Sequence, residues 1–98
     1  MPTKGLRPTH PGEILREDVL PALGKSKMEI ASLLGISRPT LYDILGERQP
    51  ITPHTALRLG KLLGNGGGFW LRMQAAYDLA VEGEAIAAEI ERIPTLAA

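Results

Sequence analysis

Apolar residues recur at helical spacing in two short stretches between residues 26 and 48, one on each side of a glycine. Positions three to four residues apart share one face of a helix, so each stretch predicts a short amphipathic helix with a buried side. The inward positions are Ile30, Ala31 and Leu34 in the first helix and Leu41, Ile44 and Leu45 in the second.

Residues that favour helix ends bound both stretches. Ser26 and Glu29 form a capping-box pattern at the start of the first helix, and Gly35 suits the left-handed backbone that ends it. Ile36 fills the corner, and Ser37 caps the second helix. This combination predicts a helix-turn-helix unit, in which the second helix enters the DNA major groove. Two amphipathic helices around a glycine also occur in ordinary helical bundles.

A helix is predicted on the N-terminal side of this unit, over Pro11–Leu20. Pro11 suits the first helical position because its missing N–H costs nothing there. Pro21 and Gly24 are expected to break the chain before the central unit. The apolar face of this helix consists of Ile14, Leu15 and Val19.

Another helix is predicted on the C-terminal side. Thr52 is a good N-cap, Pro53 suits the first helical position, and Gly64 closes the helix. Its predicted buried stripe consists of Ala56, Leu57, Gly60 and Leu63.

Residues 65–68, Asn-Gly-Gly-Gly, are predicted to form a flexible joint, because ordering glycine costs much backbone entropy. A fifth helix follows, with an apolar stripe that holds three of the four aromatic residues of the chain. The stripe consists of Phe69, Trp70, Met73, Ala76, Tyr77 and Ala80. Aromatic residues are enriched in interfaces, so the stripe fits core packing and a dimer or partner interface equally well. The interface candidates are Phe69, Trp70, Met73 and Tyr77.

The apolar line continues beyond Gly83, which is expected to interrupt the helix. Ile86, Ile90 and Ile93 lie on an acidic segment that ends at Pro94. We therefore predict a DNA-binding domain over residues 8–80 and an acidic C-terminal helical extension and tail over residues 81–98.

The formal net charge is zero, but the charges are distributed unevenly. Residues 1–61 hold nine Lys or Arg against six Asp or Glu, and residues 62–98 hold two against five. The first part therefore suits phosphates better than the total charge suggests. The absence of cysteine excludes a disulfide framework and a thiolate zinc finger. No apolar run reaches transmembrane length, so we expect a cytoplasmic protein without a membrane partner.

The sequence does not show a residue pattern typical of a metal site or a catalytic site. His10 and His54 lack a second His or Cys at ligand spacing, and His10 is predicted to be an N-cap or a surface group. The glycine run has neither a preceding strand nor a following Lys-Ser/Thr, so it does not form a phosphate loop. We expect no metal, no cofactor and no enzymatic activity.

The candidate DNA contacts lie on the second helix of the central unit and at its N-terminal end. They are Ser37, Arg38, Pro39, Thr40, Tyr42 and Asp43. Arg38 is the strongest candidate for a base contact, because its guanidinium can bond guanine O6 and N7 together. Asp43 either accepts from cytosine N4 or only repels phosphates. Tyr42 either packs on a thymine methyl group or bonds a phosphate.

Further residues are placed to hold the DNA backbone. Lys27, Arg48 and the helix start at Thr52 suit phosphate contacts. Lys4 and Arg7, in an N-terminal arm, either reach a phosphate or belong to a mobile terminus. Because the groove face carries few donors, we expect a homodimer on an operator with two half-sites.

Three segments of the chain together resemble a known family. HPGEILRE, IASLLGISRPTLYDILGERQPITPHTALRLGKLLG and FWLRMQAAYDL are similar to the HigA/VapI-type antitoxins of the Xre-like helix-turn-helix group. The match covers roughly residues 8–79, but Asn-Gly-Gly-Gly stands where family members commonly have a capping Ser/Thr-Pro stretch.

This resemblance implies an all-α fold: a five-helix Xre/lambda-repressor-like helix-turn-helix domain, here with a short extra C-terminal helix. It also implies a dimer that binds its own promoter, and a cognate toxin of the RelE/HigB type, an mRNA endonuclease held inactive in complex. The resemblance also implies that the recognition-helix residues named above contact the DNA.

Two other functions fit the same residues. One is a stand-alone Xre-type transcriptional repressor without a toxin partner. The other is a protein–protein module that has lost DNA binding, which the neutral net charge, Pro39 and Asp43 would suit.

Overall fold

The computed structural model describes residues 8–96, and within that range the chain is helical without any strand. Helix α1 spans residues 11–23 in three consecutive segments: α-helical Pro11–Ile14, π-helical Leu15–Val19 and α-helical Leu20–Leu23. The others are α2 (Lys27–Leu34), α3 (Arg38–Leu45), α4 (Pro53–Leu63), α5 (Gly67–Ala85) and α6 (Ala87–Glu91). The prediction of an all-α, five-helix domain with a short extra C-terminal helix is confirmed.

The first helix continues through Pro21, and the prediction that it stops at Leu20 is wrong. Proline lacks the N–H of an α-helical bond, and its ring clashes with the carbonyl four residues earlier. The π-helical stretch changes the bonding at this point: the Leu20 N–H donates to the Leu15 carbonyl, five residues back. The helix ends at Gly24, whose φ of 67° is left-handed.

The predicted caps of the central helices are confirmed. The Ser26 hydroxyl accepts from the Glu29 N–H at 3.1 Å, and the Glu29 carboxylate accepts from the Ser26 N–H at 2.9 Å. This second bond lowers the pKa of Glu29. Gly35 ends α2 with a φ of 74°. The helix α3 ends at Leu45 with Gly46 as its C-cap, and the left-handed residue that follows is Glu47, with a φ of 61°.

The inward face of α4 differs from the prediction by a rotation of the helix. Leu57 is 68% exposed, whereas Leu59, which the predicted stripe lacked, is 2% exposed. Successive residues of a helix are turned by about 100°, so one wrong position moves a side chain out of the core. The correct stripe, consisting of Ala56, Leu59, Gly60 and the half-buried Leu63, runs under α5.

The two helices approach most closely at glycines. A Cβ on Gly60 would lie 2.2 Å from the Gly66 carbonyl carbon, and one on Gly67 would lie 3.2 Å from the Ala56 carbonyl oxygen. Asn65 Oδ1 accepts from the Trp70 indole N–H at 3.0 Å. Asn65 and Gly66 therefore form a short turn beside α4, and Gly67 and Gly68, which were predicted to belong to the joint, are the first residues of α5.

The inward face of α5 is also rotated from the predicted stripe. Trp70 and Gln74 are buried, Met73 and Tyr77 are half-buried, and Ala76 is exposed. Position 74 was missed because glutamine does not mark an apolar face. Gly83 lies within α5, contrary to the expected interruption, and the helix instead breaks at Ile86.

The start of α1 packs against the middle of α5 through His10. Its ring meets the Tyr77 ring edge-on, with 4.9 Å between centroids. His10 Nδ1 accepts from the Gly12 N–H at 2.8 Å, so the N-cap prediction is confirmed and the surface alternative is wrong. Burial lowers the pKa of His10, which favours the neutral ring that this acceptor role requires.

We expect Gly60→Ala to lower the free energy of unfolding by about 2 kcal/mol or more, since the added methyl meets backbone atoms that cannot rotate away. Gly83→Ala is the matched control, because its Cβ meets nothing within 4 Å and alanine favours the helix. That variant should gain about 0.5–1 kcal/mol. Urea unfolding followed by circular dichroism measures both. Equal stability of Gly60→Ala and the wild type would contradict the close approach.

Candidate nucleic-acid interface

The N-terminal end of α3 is fixed by the pair Ser37 and Thr40. The Ser37 hydroxyl accepts from the Thr40 N–H at 3.1 Å and donates to the Thr40 hydroxyl oxygen at 2.8 Å. Arg38 and Pro39 follow the cap and are exposed. The helix start therefore presents its polar end to solvent, where helix dipoles favour phosphates.

Five of the nine predicted DNA contacts lie around one surface depression of about 450 Å³. They are Arg38, Pro39, Tyr42, Asp43 and Arg48. Lys27 lies beside them, with its ammonium nitrogen 5.9 Å from the centre of the Tyr42 ring. The start of α2 and the outward face of α3 therefore form one continuous surface.

The two arginines of this depression differ in the strength of their hydrogen bonds to the rest of the chain. Arg48 donates to the Asp43 carboxylate at 3.1 Å and to the Tyr42 carbonyl at 3.3 Å, so it lies across the C-terminal half of α3. Arg38 contacts the Met28 thioether sulfur at 3.7 Å, and a thioether is a weak acceptor. Of the two, Arg38 is thus the better placed to exchange its contact for a base edge.

The ion pair between Asp43 and Arg48 changes the electrostatics of the face. A lone carboxylate on a recognition helix would repel phosphates, but Arg48 supplies a compensating positive charge within 3.1 Å. The side chains are 45% and 63% exposed, so solvent screens the pair and its contribution to stability is small.

Thr52 begins α4 and is exposed. Its hydroxyl accepts from the Thr55 N–H at 3.4 Å and caps the helix, as predicted. Lys4 and Arg7, the other candidate phosphate contacts, lie outside the residues that the structure describes.

Arg16 on α1 belongs to this region and was missed from the sequence. Its guanidinium donates to the Leu45 carbonyl at 2.6 Å and to the Glu47 carboxylate at 3.2 Å. Leu45 is the last residue of α3, where carbonyls lack partners within the helix and favour a cation. No local pattern could reveal this bond, because its partners are 29 residues apart.

Gln74 on α5 was missed as well. Its side-chain oxygen accepts from the Ile51 N–H at 2.8 Å, and its amide group donates to Asp78 at 2.9 Å. Ile51 lies in the segment between α3 and α4, so this buried bond holds the turn that follows α3.

The predicted interface stripe on α5 is largely used within the chain. Trp70 is 1% exposed, which corrects its assignment as an interface residue. Met73 packs against the core and Tyr77 against His10. Phe69, at 40%, is the member with an exposed side chain.

Within residues 8–96 no helix is long and apolar enough to cross a bilayer. Over the same residues, no three His, Asp or Glu side chains are arranged to hold a metal ion.

Comparisons with known proteins identify relatives along most of the chain, although no protein-family model matches. Virulence-associated protein I of Dichelobacter nodosus is 46% identical over 70 residues, which are 71% of this chain and 65% of that protein. Antitoxin HigA-1 of Vibrio cholerae is 33% identical over 73 residues, which are 74% of this chain and 69% of that protein. The chain thus spans about two thirds of the length of these relatives.

A solved structure of antitoxin HigA from Pseudomonas aeruginosa with the higBA promoter is 37% identical. It covers 93% of this chain and 100% of that one, with a TM-score of 0.85. At this identity and coverage the chain shares the fold of a DNA-binding HigA antitoxin, which confirms the predicted fold class.

We expect Arg16→Met to accelerate hydrogen exchange of the backbone amides of residues 46–48. These amides donate to carbonyls of α3, and without Arg16 the C-terminal end of that helix loses its link to α1. Exchange measured by NMR should change there and remain the same in α4. Arg72→Met, on the exposed side of α5, is the control. Unchanged exchange at residues 46–48 would show that Arg16 does not hold the recognition helix.

Proposed function

The chain belongs to the HigA/VapI-type family of Xre-like helix-turn-helix proteins, and on this basis we propose that it is the antitoxin of a type II toxin–antitoxin module. In this proposal it represses its own operon by binding operator DNA, and it neutralises a toxin of the RelE/HigB type. The observation that carries the proposal is the match to HigA with promoter DNA over 100% of that chain. The DNA-binding part is supported by α3, whose outward face is exposed and whose two ends are held by Ser37 and Arg16.

In the proposed complex the N-terminal half of α3 lies in the major groove. Arg38 donates to guanine O6 and N7, a geometry that its planar guanidinium suits. Ser37 and Thr40 begin the helix beside it. Tyr42 and the paired Asp43 flank the groove edge, where Asp43 can accept from cytosine N4. Base contacts of this kind carry the sequence preference.

Phosphate contacts then set the orientation on the duplex. Lys27 at the start of α2 and the start of α4 at Thr52 each present a helix N-terminus to the backbone. Arg48 supplies a further positive charge once the Asp43 carboxylate has a base partner. These contacts are independent of base sequence and give the binding its salt dependence.

We propose that two copies bind one operator. The groove face of one copy has a single arginine among its base-contact candidates, and Pro39 has no N–H to donate. A symmetric dimer doubles the contacts and reads two half-sites about 34–36 Å apart.

Binding to DNA from upstream of the gene itself tests the repressor part, by fluorescence anisotropy over a range of salt concentrations. We expect Arg38→Ala to weaken specific binding by about 1–3 kcal/mol, the usual cost of a lost bidentate contact. Arg72→Ala, a matched change of charge on α5, should leave the affinity unchanged.

Two results would contradict this assignment. Wild-type affinity in Arg38→Ala would remove Arg38 from the base contacts. A wild-type protein that does not prefer its own upstream DNA to unrelated DNA would remove the repressor function.

Co-expression tests the antitoxin part. We expect an adjacent gene for a small basic toxin whose expression arrests growth, and we expect this protein to restore growth. Restoration should accompany formation of a stable complex, measured by co-purification. A protein that binds its operator but neutralises no neighbouring gene product would instead be a stand-alone Xre-type repressor.

A further inference from the structure

Met28 on α2 lies at the surface, beside the arginine to which the proposed function assigns a base contact. It is 56% exposed, and its thioether sulfur lies 3.7 Å from Arg38 Nη1. A single exposed apolar side chain is ordinary on a protein surface. What distinguishes Met28 is this neighbour, because any change in the chemistry of the sulfur acts directly on the guanidinium of Arg38.

The methionines of the chain differ in their surroundings. Met73 on α5 is half-buried and packs against the core, whereas Met28 is exposed. Met1, the third methionine, lies outside the described residues. Oxidation of methionine converts its sulfur into a polar sulfoxide, and exposed sulfur atoms react first. In the described part of the chain, Met28 is therefore the methionine that a dissolved oxidant reaches more readily.

The present contact holds Arg38 only weakly, since a thioether is a poor hydrogen-bond acceptor. Asp43, which lines the same depression, is already paired with Arg48 at 3.1 Å. An oxygen atom added to the Met28 sulfur would offer the Arg38 N–H groups a much stronger acceptor than the thioether. Hydrogen bonds from a charged donor to such an oxygen are short and strong.

We propose that Met28 is a site of reversible oxidation that controls the base contact of Arg38, with hydrogen peroxide as the oxidant. A lone pair of the Met28 sulfur attacks one peroxide oxygen, so that an S–O bond forms while the O–O bond breaks. The leaving hydroxide takes up the proton of the transferred oxygen and departs as water. The sulfur thereby loses two electrons, and the peroxide gains them.

The sulfoxide oxygen then accepts a hydrogen bond from the Arg38 guanidinium and holds it beside α2. Arg38 must break this bond before it can donate to a guanine, so the oxidised protein binds its operator less tightly. A methionine sulfoxide reductase reverses the change. Two thiols supply the electrons and form a disulfide, and the oxygen leaves as water. The inference rests on the base contact assigned to Arg38 in the proposed function.

Operator binding before and after treatment with hydrogen peroxide tests the proposal. We expect the oxidised wild type to bind its own upstream DNA about fivefold or more weakly, because a hydrogen bond to a charged group competes with the base contact. The loss should not exceed that of Arg38→Ala, since oxidation acts only through this arginine. Fluorescence anisotropy measures the affinity, and peptide mass spectrometry measures the fraction of Met28 that is oxidised. Treatment with a methionine sulfoxide reductase should restore the affinity.

A pair of matched variants separates Met28 from the other methionines. Met28→Leu keeps an apolar side chain but cannot form a sulfoxide, so peroxide should leave its affinity unchanged. Met73→Leu keeps Met28 and should lose affinity as the wild type does. In Arg38→Ala, oxidation should cause no further loss, because the two changes act through the same contact. Circular dichroism before and after treatment checks that each protein is folded.

NMR of the free protein tests the contact without DNA. Oxidation should shift the side-chain Nε–H signal of Arg38 in the wild type and in Met73→Leu, but not in Met28→Leu. An unchanged Arg38 signal or an unchanged operator affinity after full oxidation of Met28 would overturn the inference. So would an equal loss of affinity in Met28→Leu, or a Met28 that stays reduced while Met73 is oxidised. The proposed function fails on a different result, namely a reduced wild-type protein without preference for its own upstream DNA.

Discussion

The close approach of α4 and α5 at Gly60 is the constraint on which the rest of the structure depends. Because no side chain stands between the helices, the start of α5 lies directly on α4. This brings Trp70 into the core, Gln74 to the Ile51 N–H and Tyr77 to His10. A single helix crossing thus connects the turn after the recognition helix with the start of α1.

Helix α3 is held at both ends by bonds of different origin. Its N-terminal end is closed by Ser37, a neighbour in sequence, whereas its C-terminal end is held by Arg16 from another helix. A short helix of eight residues has little stability of its own, so these anchors and its buried face hold it in shape. In the proposed DNA complex, a helix that is ordered before binding loses less entropy when it enters the groove.

The net charge of zero is the sum of a basic N-terminal part and an acidic C-terminal part. The basic part carries α3 and the helix starts that suit phosphates, and the acidic part carries the end of α5 and α6. On α3 itself, Arg48 compensates the charge of Asp43.

Helix ends and the central motif could be predicted from the sequence alone. Ser26, Glu29, Gly35 and Thr52 act through backbone groups within a few residues, so their roles are readable locally. The faces of α4 and α5, the continuation through Pro21 and the bond from Arg16 to Leu45 were decided by the tertiary structure. Which side of a helix is buried depends on partners distant in sequence, and hydrophobic spacing alone leaves that rotation uncertain by one position. The sequence by itself therefore determined where α1 to α4 begin, most of where the helices end and the order of the central helix pair, while packing between distant segments determined how α3 is held.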